Sequence, residues 1–286
     1  MTASPRLTTT LLTVVLISIG VSLAQEYRER DGNRGRRRGG RDDRAASRTG
    51  IPDWGRKQAL PDDVFTFVRI QYQSHNDWGW RGGKWRTDYP DSDLNFSYRL
   101  EQLTSLDVDP EGKILTLTDP ELANYPMIYL IEPGEMALEE AERESLRSYL
   151  LNGGFLLVDD FWGDWEWENF YLEMKKVFPE KEPEELTLDH EIFHCVFDLT
   201  EKPQLPSISV AQRYGITYEP GKPGAEEVHY RALFDDDGRM MAIICHNTDL
   251  GDGWEREGED PWYFKNFSEP KAYPMGINII FYAMTH

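Results

Sequence analysis

The sequence has no excess of positive charge. Lys and Arg number 31 against 51 Asp and Glu, a net charge of −20 at pH 7. Phosphate neutralisation needs a basic face, so this balance excludes a nucleic-acid-binding core, and no nucleic acid is expected among the partners. Cysteine is scarce. Cys195 and Cys245 sit inside apolar runs, IFHCVF and AIICHN. They read either as small hydrophobes or, in an exported chain, as a disulfide closing a loop of about 50 residues, and spacing does not choose between the two. Long apolar runs are also lacking. The run Leu11–Leu23 (LLTVVLISIGVSL) is too short to span a bilayer comfortably, and no later stretch approaches the length required. No internal repeat is visible.

What is present reads as globular. Hydrophobic residues make up 40% and charged residues 29%, which separates the chain from disordered sequences, and the length allows one large domain or two small ones. Nine Trp in a 13% aromatic composition suffice to anchor a core and line a cleft. Arg6 precedes the first apolar run, and Ser22 and Ala24 suit a cleavage site. Residues 1–24 are therefore expected to be a signal peptide, with a mature chain starting near Gln25 in the periplasm or the medium; the alternative is an uncleaved membrane anchor. Residues 25–60 are expected to be a disordered Arg/Gly-rich linker. It would serve as a solvated spacer or as a tether drawn to anionic surfaces. Residues 61–286 are expected to form a single α/β domain.

Within that domain strand-like and helix-like segments alternate. FTFVRIQY (65–72) is a β-branched and aromatic run, and Phe96, Leu100 and Leu103 then share a helical face. ILTLT (114–118) and MIYLIEPG (127–134) are short apolar runs. MALEEAERESLRSYLLNGG is a helix with Glu139 and Glu140 in its first turn and Gly153-Gly154 as its stop. FLLVDD (155–160) reads as a strand covered on both faces. Trp167, Phe170, Tyr171, Met174, Val177 and Phe178 form a helical stripe that Pro179 ends. A β-α-β-β-α-β-α order implies a mainly parallel sheet with helices on both faces. VHYRALF (228–234) and RMMAIICHN (239–247) flank Asp235-Asp236-Asp237-Gly238 as a C-terminal hairpin. That turn lacks the spaced ligands and terminal Glu of a calcium loop. GINIIFYAM (276–284) is apolar all round, as suits a buried terminal helix.

The stretches WRTDYPDSDLNF, YPMIYLIEPG, LRSYLLNGGFLLVDDFWG, HNTDLGDGWE and YPMGINIIFYAMTH resemble the family described as domain of unknown function 4159, over about residues 63–286. The resemblance implies a fold similar to class I glutamine amidotransferases, with a flavodoxin-like α/β sheet, here in a short exported form. It implies no particular activity. Amidotransferases of that class carry a Cys nucleophile on a sharp turn after a central strand. The matching segment, Val158 to Gly163 (VDDFWG), offers neither Cys nor Ser, so glutamine hydrolysis is not expected.

His190-Glu191-Ile192-Phe193-His194 matches the H-E-x-x-H pattern, which on a helix would bind zinc with Glu191 as general base. The surrounding LTLDHEIFHCVFDLT lacks the long amphipathic pattern of such a helix, so no zinc site is expected there.

The strand ends make the stronger argument, because ligands of open α/β sheets gather beyond them at the switch point. Those ends deliver Gln71 to His75, Glu132, Asp159 and Asp160, and His246 with Asn247. Adjacent loops add Arg86, Asp88, Trp162, Asp249, Asp252, Trp254 and Glu255. Carboxylates, an imidazole and Trp faces in one crevice would bind a carbohydrate-like or other polar ligand. Equally, Asp159, Asp160, Asp249 and Asp252 would hold a hard cation. The plainer alternative is that these residues cap helices and tie loops. No organic cofactor is expected; a divalent cation is the one candidate. Three functions remain open: a cell-envelope binding module, which the pattern favours; a metal-assisted or acid/base hydrolase using Asp159, Asp160 and His246; and an interaction domain docking a partner on its acidic face.

Overall fold

The computed structural model of the protein describes residues 64–75 and 83–286. The signal segment and the linker expected at 1–60 lie outside the described residues. The strands are β1 (Val68–Ile70), β2 (Gln73–Ser74), β3 (Lys113–Leu115), β4 (Met127–Ile131), β5 (Met136–Ala137), β6 (Phe155–Asp159), β7 (Glu184–Glu185), β8 (His229–Phe234) and β9 (Met240–His246). The main helices are α1 (Asp91–Leu103), α2 (Glu140–Leu151), α3 (Gly163–Val177), α4 (Ile208–Tyr214), α5 (Leu250–Glu255) and α6 (Tyr273–Thr285).

Seven strands form one sheet in the order β3-β1-β4-β6-β9-β8-β7. The first five are mutually parallel; β8 then pairs antiparallel with β9, and β7 pairs antiparallel with β8 at the edge. Counted along the chain, the parallel strands lie in the order 2-1-3-4-5, so the direction of winding reverses between β1 and β4. The expected C-terminal hairpin exists, but β9 pairs in parallel with β6, which merges the hairpin into the main sheet. Its turn is built by Asp235, whose Oδ1 accepts the N–H groups of Asp237 at 3.0 Å and Arg239 at 2.9 Å. The Asp run is turn chemistry.

Every residue of β4 and β6 is buried, which explains why MIYLI and FLLV carry no polar alternation. Period-2 geometry sends Ile128 and Leu130 to one face, under α2 and α3, with Leu146, Phe170 and Met174. Met127, Tyr129 and Ile131 go to the other, with Phe96, Trp254, Ile277 and Ile280 from α1, α5 and α6. Helix α2 begins with a capping box in which the Glu139 N–H donates to Glu142 Oε2 at 2.8 Å. The terminal helix starts earlier than its apolar core predicts. It continues a π-helical stretch over Phe264–Ala272 that contains Pro270, a residue with no N–H to give an α-helical ladder. The predicted strand at 114–118 stops at Leu115, because Asp119 N–H closes a turn on Thr116 O at 3.1 Å.

Cys195 and Cys245 are free thiols. Cys245 is buried in β9, while Cys195 Sγ donates to Asn278 O at 3.2 Å, so the disulfide alternative falls away. No helix among the described residues is long and apolar enough to cross a membrane.

Candidate functional site

The five parallel strands present their carboxyl ends along one edge of the sheet, and the chain is strained there. Among the described residues four non-glycine positions have positive φ: Asp88 (61°), Glu132 (51°), Asp160 (56°) and Asn247 (61°). Glu132, Asp160 and Asn247 follow β4, β6 and β9 directly, and Asp88 lies in the loop before α1. Each such residue costs about 1–3 kcal/mol and persists only where its surroundings over-determine it.

Asp159 ends β6 with its carboxylate satisfied. Oδ1 accepts from Leu250 N–H at 3.2 Å, and Oδ2 accepts from Gly251 N–H at 3.0 Å and the Tyr129 hydroxyl at 3.1 Å. Burial pushes this carboxyl up to about 7, against the pull of those donors. The carboxylate of Asp160, one residue on, accepts Trp162 Nε1–H at 3.1 Å and no other donor among the described residues. Burial, then the charges of Glu132 and Asp159, raise it well above the usual carboxylate range. Asp249 caps α5 by accepting Asp252 N–H at 2.7 Å, and burial with the charge of Asp160 raises it too.

Helix α5 supplies the next two acids on one face, three residues apart. Asp252 accepts from Ile208 N–H at 3.0 Å and Arg256 Nε at 3.2 Å, and burial raises its carboxyl. Glu255 pairs with Arg256 Nη2 at 2.9 Å, and burial holds it at about 7. Asp88 closes the group. Its Oδ2 is shut off from solvent and accepts no hydrogen bond. Burial, then Asp252, Glu255 and Asp160, drive its carboxyl well upward.

Two triads result, sharing Asp88. Carboxylate oxygens of Asp88, Asp252 and Glu255 lie within 4.8 Å of one another, and so do those of Asp88, Asp160 and Asp249. An all-oxygen donor set of high negative charge suits a hard cation such as Ca²⁺ or Mg²⁺. Burial raises seven carboxyls here, counting Glu132, against the pull of Lys84 on Glu132 and of Arg256 on Asp252 and Glu255.

Of the residues that the sequence assigns to the crevice, Trp254, His246, Asn247 and Arg86 stand elsewhere, while Glu132 and Trp162 border it. Trp254 is fully buried, its ring 4.4 Å from Phe96 and 5.8 Å from Tyr129, and it belongs to the core. His246 is buried against Phe161 at 4.8 Å and Trp167 at 5.2 Å. Its Nδ1 accepts from Arg231 and its Nε2–H donates to Gly163 O, each at 3.2 Å, so neither nitrogen is turned to the acids. Burial and the Arg231 charge push it down to about 3, and it stays neutral. Asn247 ties loops: Oδ1 accepts Gly163 N–H, and Nδ2 donates to Gly224 O and Glu227 O, all at 2.7 Å. Arg86 is exposed and stacks on Trp85 at 5.9 Å. Glu132 is paired with Lys84 at 2.8 Å, at the rim where the winding reverses. Trp162 is buried beside Asp160. Following β1, the Tyr72 hydroxyl donates to Ile131 O at 2.8 Å and bolts that strand end to β4.

HEIFH forms a single 3-10 turn over Glu191–Phe193 instead of an α-helix. His190 Nδ1 accepts Ile192 N–H at 3.2 Å, and His194 lies between Asp198 at 2.6 Å and Leu188 O at 2.7 Å. Glu191 pairs with His286 at 2.6 Å. The three side chains have different partners.

Sequence reasoning missed two arginines. Arg69 is fully buried in β1, where Nε meets Asp93 at 2.9 Å and Nη1 donates to Trp85 O and Thr87 O at 2.9 Å each. It therefore anchors the loop that carries Asp88. An arginine inside the run FTFVRIQY is the signal that could have found it. Arg256, the cation of the α5 acids, carries no such signal.

The family model described as Domain of unknown function (DUF4159) matches residues 66–284, and the chain belongs to that family. No curated protein matches the chain.

Proposed function

We propose that this member of the family binds a hard divalent cation in the strand-end acidic crevice and uses it to hold a small polar ligand, as a binding module of the cell envelope. The observation that carries the reading is Asp88 Oδ2, a buried carboxylate oxygen without a hydrogen-bond partner among four other acids. Leaving such a group unpaired costs several kcal/mol on the scale of buried charges. A cation removes that cost and at once lowers every neighbouring carboxyl. Its remaining coordination positions take oxygens of the ligand, so a carbohydrate-like or other oxygen-rich molecule fits this chemistry.

Two further elements belong to the proposal. The sheet is of flavodoxin-like, class I glutamine amidotransferase-like type, a reading supported by the 2-1-3-4-5 order of its parallel strands. In such a sheet the strained turn after the central strand carries the reacting group; here Asp160 occupies it, so the turn serves ligation instead of acyl transfer. Location outside the cytoplasm is supported by the apolar run at residues 11–23.

A hydrolase using His246 is the weaker reading, because both imidazole nitrogens are committed away from the carboxylates. Titration calorimetry of the full chain with Ca²⁺, Mg²⁺ and Mn²⁺ at pH 7.5 tests the proposal. Saturable binding that Asp88→Asn weakens at least tenfold is expected, and a glycan and metabolite screen should give hits that chelator abolishes. A folded wild-type chain that takes up no cation at millimolar concentration would sink it.

A further inference from the structure

We infer that the crevice holds two divalent cations, with Asp88 bridging them. This rests on the cation reading above and adds the number and the linkage of the ions. One triad offers Asp252 and Glu255 from α5, and the other offers Asp160 from the end of β6 and Asp249 from the cap of α5. Asp88 is the one residue common to both. A carboxylate has two oxygens, so one can face each triad, as the shared ligand of a dinuclear centre does.

The second observation is independent of that clustering. Asp88 Oδ2 is buried and unpartnered. It is pressed towards Gly251, where an added Cβ would stand only 2.6 Å away. Asp88 is held there from behind, since Arg69 ties down Trp85 O and Thr87 O in the same loop and Asp88 O accepts Ser92 N–H at 3.0 Å. The oxygen is thus fixed in place with nothing to accept.

Charge balance selects two ions over one. The two triads together contain five carboxylates, and among the described residues the guanidinium paired with them is Arg256, which meets Asp252 and Glu255. Arg69 is spent on Asp93. One divalent ion halves the remaining excess of four negative charges, and two neutralise it. Among side chains buried as Asp160, Asp249 and Asp252 are, an uncompensated pair of charges is expensive. Asp159 needs no ion, because three donors already satisfy it.

Mn²⁺ is the probe, because equilibrium dialysis counts it and electron paramagnetic resonance reports coupling between close ions. Two Mn²⁺ per chain with a spin-coupled spectrum are expected. Glu255→Gln and Asp249→Asn should each leave one ion with an uncoupled spectrum. Asp88→Asn should abolish the coupling and lower occupancy to one or none. Asn remains a good helix cap, so the Asp249 variant keeps its fold and carries the test if the Asp88 variant does not fold. A single Mn²⁺ per chain, or two without coupling, overturns the bridge while leaving the cation reading intact. No Mn²⁺ on a folded wild-type chain overturns both.

Discussion

Asp88 and Gly251 meet with no space between them: a Cβ at position 251 would lie 2.6 Å from Asp88 Oδ2 and 3.0 Å from the Tyr129 hydroxyl. The Gly251 N–H also donates to Asp159, so this backbone cannot retreat without breaking that bond. A glycine at the first turn of α5 is what lets two acids from distant segments approach.

Gly251→Ala should therefore displace the Asp88 carboxylate. Overpacking of this kind costs about 1–3 kcal/mol. Urea denaturation should show that loss, and calorimetry should show cation affinity reduced at least tenfold. An alanine variant with wild-type affinity would place the ligating oxygens elsewhere.

Acid should stabilise the cation-free protein. Asp159 and Glu255 are raised from 3.8 and 4.5 to about 7, so between pH 4.5 and 7 the folded state holds protons that the unfolded chain has released. The stability this gives is complete below the unfolded values and is lost as pH rises through 7. Thermal melts in chelator should give a Tm higher by about 5 °C at pH 5.5 than at pH 8. Saturating Ca²⁺ should reverse the slope, because an ion competes with those protons.

His246 acts in the opposite sense. Its pKa falls from 6.5 to about 3, so it favours the fold at neutral pH and that contribution disappears as pH falls from 6.5 towards 3. His246→Phe should flatten the acid limb of the stability curve while leaving cation affinity unchanged. A loss of cation binding in this variant would return His246 to the site.

His190→Ala and His194→Ala should leave the metal content of the purified protein unchanged by elemental analysis. Their imidazoles serve a turn N–H and the Asp198 carboxylate. One zinc per chain that vanishes in either variant would contradict this.

Intact-mass analysis of protein from its native source should find a chain beginning near Gln25 in the periplasmic or extracellular fraction. Met1 retained in a cytosolic fraction would refute export.

Much of the frame was legible in residue order, since strand and helix periods are written locally. Uniformly apolar MIYLI and FLLV announced strands covered on both faces, and the stripe from Trp167 to Phe178 announced the helix between β6 and the hairpin. Acids just past those strands were therefore assigned to a common edge, and Asp159, Asp160, Asp249 and Asp252 do share it. What local pattern cannot carry is direction. Trp254 and Glu255 are neighbours in sequence, yet the helix turn sends one into the aromatic core and the other to the acids. Cys245 and His246 are likewise adjacent, and the pleat buries the thiol on one face and turns the imidazole to Phe161 and Trp167. Only the docking of α5 against the Arg69-anchored loop brings Asp88 to Asp252 and Glu255. That meeting depends on sheet register and helix packing across more than half the chain, where no sequence period reaches.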